Sequence, residues 1–192
     1  MKIAITLTSS MHVGQEYIDL TREVAKTLAM RGDSIVYGGT EYGMMQELAQ
    51  AYKDAGGKEL IGVMAKDLMA VTKGYKAYPH LDGRYIEETM GARKEKIVGL
   101  ADAVLVLPGG YGTLEELIDY VGGKVNKLYD KPIGILNYGG FYNTLATFID
   151  EMQAKAFSKI LFSEVVYLGE DLASVLKHFD AYRSTDLADK FV

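Results

Sequence analysis

The sequence contains no cysteine, which removes disulfides, iron–sulfur clusters and thiol nucleophiles from consideration. Histidine is scarce, and His12, His80 and His178 are too scattered to offer zinc-ligand spacing, so no metal site is expected. Basic residues are outnumbered, 21 against 26 acidic ones, for a net charge of −5. That balance argues against a general nucleic-acid or membrane-surface binder and leaves room only for a local basic pocket. There is no long hydrophobic run. The apolar stretch at residues 3–7 is too short for a signal peptide or a membrane span, and a cytoplasmic location is the expectation. Linkers, repeats and low-complexity segments are also missing. The 192 residues, 48% hydrophobic and 24% charged, therefore read as one soluble globular domain over 1–192 with a full core.

One stretch organises the rest. Residues 103–107 are apolar and rich in Val and Leu, and Pro108-Gly109-Gly110 follows, which predicts a short strand buried on both faces. Pro108 has no N–H to give and ends the ladder. Gly109, Gly110 and Gly112 permit positive φ and a close approach of backbone to a bound group. Thr113 is a favourable N-cap for a helix continuing from Leu114. A strand, a glycine turn and a helix N-terminus together make an anion site. The stretch is neither a dinucleotide fingerprint, where a small residue would replace Glu115, nor a P-loop, which needs Gly-Lys-Ser/Thr. It places a carboxylate, Glu116, in the first helical turn. Two readings stay open for Glu116: the far end of a capping box with Thr113, or a catalytic group.

Strands are predicted at 3–7, 34–37, 60–64, 103–107, 132–136 and 165–168, and helices at 17–30, 44–55, 85–100, 141–156 and 172–179. Residues 65–80 give no regular pattern. The alternation predicts an α/β fold, a mainly parallel sheet with helices on both faces. The turns at Ser9-Ser10, Gly38-Gly39 and Gly109-Gly110 follow strands, so they fall at carboxyl edges, where open α/β folds bind ligands.

In the helix predicted at 85–100, Ile86, Met90, Ile97 and Leu100 define an apolar stripe, and Arg93 lies on it. Lys94 sits at its margin. A guanidinium facing inward is costly unless it is paired or lines a cleft. Snorkelling or an internal ion pair are the structural alternatives.

With those residues in hand, the chain resembles the Lonely guy family of cytokinin-activating nucleotide phosphoribohydrolases, whose members are often mislabelled lysine decarboxylases. The resemblance rests on Pro-Gly-Gly-x-Gly-Thr-x-x-Glu, complete from Pro108 to Glu116, and on Met-x-x-Arg-Lys, complete from Met90 to Lys94. Tyr37-Gly38-Gly39, Gly43-Met44-Met45, Lys131-Pro132 and Asn137-Tyr138-Gly139-Gly140-Phe141-Tyr142 are similar to further family segments, and the likeness runs to about Phe157. It implies a Rossmann-like nucleotide-binding fold, usually dimeric, that hydrolyses the N-glycosidic bond of an adenine-type nucleoside 5′-monophosphate without a cofactor. It also implies Arg93 and Glu116 as the catalytic pair. The sequence departs from the family pattern at Leu7-Thr8, Thr40, Ala65, Gly123 and Val125. The last two stand where many members carry Trp and Gln, and bear on the base pocket or the subunit contact.

On this reading the phosphate sits on Gly109, Gly110, Tyr111, Gly112 and Thr113, helped by Ser9, Ser10 or Gly39, with Met90 and Lys94 also near the substrate. Decarboxylation would need an electron sink such as a pyridoxal Schiff base, and no lysine here is marked for one. The rival reading is a non-catalytic carrier of a phosphate-bearing cofactor, such as a molybdenum-cofactor carrier, which shares the fold and a similar loop. A carrier explains the glycines but does not require Arg93 together with Glu116. With 14 Tyr and 9 Met there is ample apolar material for a homodimer interface.

Overall fold

The computed structural model describes residues 1–184 and 187–188. The expected domain span of 1–192 includes residues 185–186 and 189–192, which lie outside the described residues. The chain divides into two compact units, Met1–Asp102 and Ala103–Val192.

In the first unit the strands are β1 (Lys2–Thr6), β2 (Ser34–Tyr37), β3 (Leu60–Ala65) and β4 (Gly83–Glu87). They run parallel in the order β4-β3-β2-β1. Helices α1 (Gln15–Arg31), α2 (Gly43–Asp54), α3 (Lys66–Val71) and α4 (Met90–Leu100) connect them. Each turn of chain has a local cause. Helix α1 stops at Gly32, which takes the left-handed conformation (φ 73°) that a residue with a Cβ resists. Strand β3 is buried over its whole length, as expected for a strand inside a parallel sheet. Gly39 (φ 76°) allows β2 to end against β3, since a Cβ there would lie 2.8 Å from the Gly62 Cα. Helices α1 and α2 pack on each other, while α4 lies against β1, β2 and β3.

In the second unit β5 (Ala103–Val106), β6 (Ile133–Leu136) and β7 (Val166–Gly169) are parallel in that order. They are joined by α5 (Tyr111–Val125), a 3-10 turn at Tyr138–Gly140, α6 (Asn143–Ala154) and α7 (Phe162–Val165), and are followed by α8 (Leu172–Ala181). Val104 and Val106 are both 0% exposed, so β5 is the buried parallel strand that its composition predicts. Each such side chain contributes about 1.5–3 kcal/mol by leaving water.

Two expectations are corrected. The helix predicted at 85–100 begins only at Met90, because Thr89 caps it by accepting the Ala92 N–H at 3.2 Å. Residues before that cap form β4, an edge strand registered on β3 from Ile61↔Gly83 to Ala65↔Glu87. Ile86 is therefore a 41% exposed edge residue and not part of the helical stripe. The buried face of α4 is Arg93, Lys94, Ile97 and Val98, so the inward placement of Arg93 stands. The segment 65–80, without pattern in the sequence, contains α3 and an antiparallel bridge between Thr40 and Ala77.

At the base of α8, His178 stacks on Tyr167 (ring centroids 4.6 Å apart, 8° between planes) and lies 6.0 Å from the Tyr182 ring. Tyr182 in turn lies under the Lys124 ammonium at 4.7 Å. Burial, and then the charge of Lys124, hold the His178 pKa below its usual 6.5. The unfolded chain therefore takes up this proton first, and folding stability is lost as pH falls below 6.5 and on through the lower folded value. Thermal melts between pH 8 and pH 5 should show that loss (roughly the window of histidine titration), and His178→Phe, which keeps the stack, should flatten it.

Candidate functional site

In the first unit, Arg93 is carried into the protein by α4 and has only 4% of its surface exposed. Its Nε–H donates to the Val63 carbonyl of β3 at 2.9 Å. Gly38, directly after β2, leaves room for the guanidinium: a Cβ there would meet Arg93 Nη2 at 2.7 Å and Met45 Sδ at 3.0 Å. Arg93 opens onto a cavity of about 480 Å³. The cavity is lined by Ser9, Gly38, Thr40, Tyr42, Met45, Leu68, Thr72, Lys73 and Tyr75 in addition to Arg93. Its lining combines cationic and hydroxylic side chains, Arg93, Lys73, Ser9, Thr40 and Thr72, with apolar ones, Met45, Leu68 and two phenol rings, Tyr42 and Tyr75, that meet edge to face at 6.5 Å. That mixture suits a ligand with an aromatic or apolar body and a polar or anionic end.

The wall from residues 72–78 is anchored. Thr40 Oγ1 donates to the Lys76 carbonyl at 3.1 Å, Tyr78 N–H donates to the Gly39 carbonyl at 2.9 Å, and the Tyr42 hydroxyl donates to the Gly74 carbonyl. Burial raises the Tyr75 pKa, partly offset by Arg93, so its hydroxyl stays protonated and can donate.

In the second unit, β5 ends in Leu107-Pro108 and the chain turns into α5. The Tyr142 hydroxyl donates to the Leu107 carbonyl at 2.8 Å, and the Tyr142 N–H is held by Asn137 Oδ1 at 2.7 Å. The Asn137–Tyr142 segment thus fixes the exit of β5. Helix α5 starts at Tyr111 with Gly110 as N-cap, since the Leu114 N–H donates to the Gly110 carbonyl at 3.0 Å. Thr113 is consequently the third helical residue, not the cap, and the capping box of Thr113 and Glu116, one of the two readings left open, does not form. The glycines act by lacking side chains, not by positive φ, which none of Gly109, Gly110 and Gly112 adopts. A Cβ on Gly109 would lie 2.1 Å from Thr113 Oγ1, while those of Gly110 and Gly112 would meet nothing within 4 Å.

The N–H groups of Tyr111, Gly112 and Thr113 precede the first intrahelical bonds and carry the positive end of the helix dipole. Beside them Thr113 Oγ1 is buried and has no hydrogen-bond partner among the described residues. A buried, unsatisfied hydroxyl beside free N–H groups at a helix start has the chemistry that would suit an anion. Glu116 lies one turn further on, on the buried face that also carries Thr113, Leu117 and Tyr120.

The profile of the family described as "Possible lysine decarboxylase" matches residues 45–179. A protein of Oryza sativa subsp. japonica named "Probable cytokinin riboside 5'-monophosphate phosphoribohydrolase" is 39% identical over 146 residues, 73% of this chain and 65% of that protein. A cytokinin riboside 5'-monophosphate phosphoribohydrolase of Arabidopsis thaliana is 32% identical over 94% of this chain and 82% of its own length. The chain belongs to this family, the Lonely guy (LOG) family. Among solved structures, the molybdenum cofactor carrier protein of Chlamydomonas reinhardtii superposes with a TM-score of 0.69 at 20% identity, covering 94% of this chain and 98% of that one. That likeness shows a shared Rossmann-like fold.

The two LOG motifs are placed as follows. Ser9 and Arg93 share the first unit's cavity, which Gly39 adjoins through Gly38. Ser10 lies outside the lining and its hydroxyl accepts the His12 N–H at 3.1 Å, a turn-forming role. Met90 is outside it too, and its N–H is taken by Asp67 Oδ2 at 3.0 Å. Lys94 is buried beside Arg93 on α4. In the second unit, Gly109 to Thr113 form the helix start and Tyr111 is 94% exposed. Where many LOG members carry Trp, Gly123 is covered by the Tyr129 ring, whose hydroxyl donates to the Tyr120 carbonyl at 2.7 Å. Sequence reasoning missed Tyr42, Leu68, Thr72, Lys73 and Tyr75 as cavity residues, since no pattern marks residues that meet only through a loop.

Thr113→Val separates the anion role from a folding role. The change is isosteric and removes an unsatisfied buried hydroxyl, which costs about 1–3 kcal/mol. The melting temperature should hold or rise, while calorimetric titration with AMP should show weaker binding by about tenfold, the value of one good hydrogen bond.

Proposed function

We propose that this chain hydrolyses the N-glycosidic bond of an adenine-type nucleoside 5′-monophosphate, N6-substituted or plain, to the free base and ribose 5-phosphate. The observation that carries this reading is LOG membership together with Arg93 and Glu116, both of them buried. Water supplies the oxygen that bonds to C1′, the C1′–N9 bond breaks, and the proton released by water ends on the base. The barrier lies in the oxocarbenium character that develops at the sugar. Glu116 stabilises that charge or orients the water. Arg93 contacts the substrate as the bond breaks. The phosphate binds the N–H groups at 109–113 and the Thr113 hydroxyl, so that remote binding energy serves the chemical step. Ser9, Ser10, Gly39, Met90 and Lys94 are the remaining candidates for substrate contact.

We further propose that the protein acts in the cytoplasm as a homodimer; no helix among the described residues is long and apolar enough to cross a membrane. Support for assembly comes from α5, where Tyr111, Leu114, Ile118, Val121 and Val125 recur at coiled-coil spacing on a face left at least partly open to solvent. Helix α6 buries only Ile149 and leaves Phe148 63% exposed. Sedimentation should give a dimer at micromolar concentration, and a stable monomer would contradict this.

The reaction is tested with AMP and N6-substituted AMP, following ribose 5-phosphate and base. Glu116→Gln keeps shape and removes charge, so turnover should fall by about 100-fold or more while nucleotide still binds. Arg93→Ala should lose a comparable factor. A wild-type protein that binds nucleotide without releasing base would instead mark a carrier.

A further inference from the structure

Asp67, the second residue of α3, makes contacts that the reaction proposed above does not use. Its Oδ2 accepts the N–H of Met90, the first residue of α4, at 3.0 Å. Its Oδ1 accepts the N–H of Leu68, a residue of the cavity wall, at 2.6 Å. Its own N–H reaches back to the Glu88 carbonyl at 3.4 Å. Next to it, Lys66 pairs with Glu88. One carboxylate therefore ties the start of the wall helix to the first turn of the helix that carries Arg93.

That turn has few other supports. Thr89 accepts the Ala92 N–H at 3.2 Å and gives its carbonyl to the Arg93 N–H at 2.9 Å. Met90, Gly91 and Ala92 lie between this cap and Arg93, and Gly91 is a poor helix former with no side chain to pack. Without Asp67 the Met90 N–H loses its partner and the negative charge at the helix N-terminus is removed. The guanidinium has little tolerance for movement, because Gly38 lies on one side and the Val63 carbonyl accepts its Nε–H. The placement of the first turn of α4 is passed directly to Arg93, whose N–H bonds the Thr89 carbonyl.

We infer that Asp67 is a positioning residue: it sets the register of Arg93 in the cavity by fixing the first turn of α4 against α3. The inference rests on the proposed hydrolysis for its kinetic consequence and on geometry alone for its structural one. Asp67→Ala should lower kcat for AMP by about tenfold with KM little changed, since misplacing a catalytic group by part of an ångström costs that much or more. Asp67→Asn keeps one acceptor oxygen and should fall between. In an Arg93→Ala background, Asp67→Ala should cause no further loss, because the residue acts through Arg93. Losses that multiply would overturn the inference, as would a KM effect alone. The Arg93 Nε–H signal gives a readout independent of turnover: its hydrogen exchange should quicken in Asp67→Ala. If the wild-type protein releases no base, the hydrolase reading fails and this exchange rate decides the positioning role; an unchanged rate refutes it.

Discussion

Two parallel strands can pair only after the chain has been carried back to the edge where the first one began. Most of what is functional here follows from that constraint. In the first unit it brings the exits of β1, β2 and β3 to one edge, so the Ser9 loop, the Gly38–Gly39 turn and α3 converge there. The cavity that Arg93 opens onto is the space those three exits enclose. In the second unit the same constraint puts the exit of β5 beside that of β6, where Tyr142, itself held by Asn137, donates to the Leu107 carbonyl and fixes the path into α5.

A second constraint is electrostatic. Taking a guanidinium out of water is costly unless its donors are met. Arg93 is accommodated by a strand carbonyl and a missing side chain at Gly38. Such a group contributes little to folding that an apolar residue of similar volume could not supply better. Its burial gives the cavity a cationic, hydrogen-bonding wall, and the hydroxyls and Lys73 around it extend the same character.

The sheet-forming core was legible because its strands are apolar runs with glycine stops: residues 34–37 coincide with β2, and the other predicted strands shift by one residue at an end or two. Arg93 was legible because a charge interrupts an apolar period. The failures have identifiable causes. Strand β4 lies at an edge with one neighbour and exposed side chains, so it carries no burial pattern, and the helical period of α4 was extended across it. Thr113 was read as a cap by its residue type, whereas Gly110 takes that place and frees the threonine hydroxyl for another partner. The wall of the cavity was hidden because its hydrogen bonds run backbone to backbone or from a threonine or tyrosine hydroxyl to a carbonyl, and a sequence does not announce those.

The bare faces of Gly110 and Gly112 carry a consequence for how such a protein changes over time. Neither residue adopts a positive φ, and a methyl group on either would touch no other part of the chain. The packing of the chain therefore does not require glycine at either position. Sequence drift at these two positions is a record of ligand use that is separate from the record of stability. On the proposed phosphate role, a lineage that gave up its ligand could lose both glycines without losing the fold.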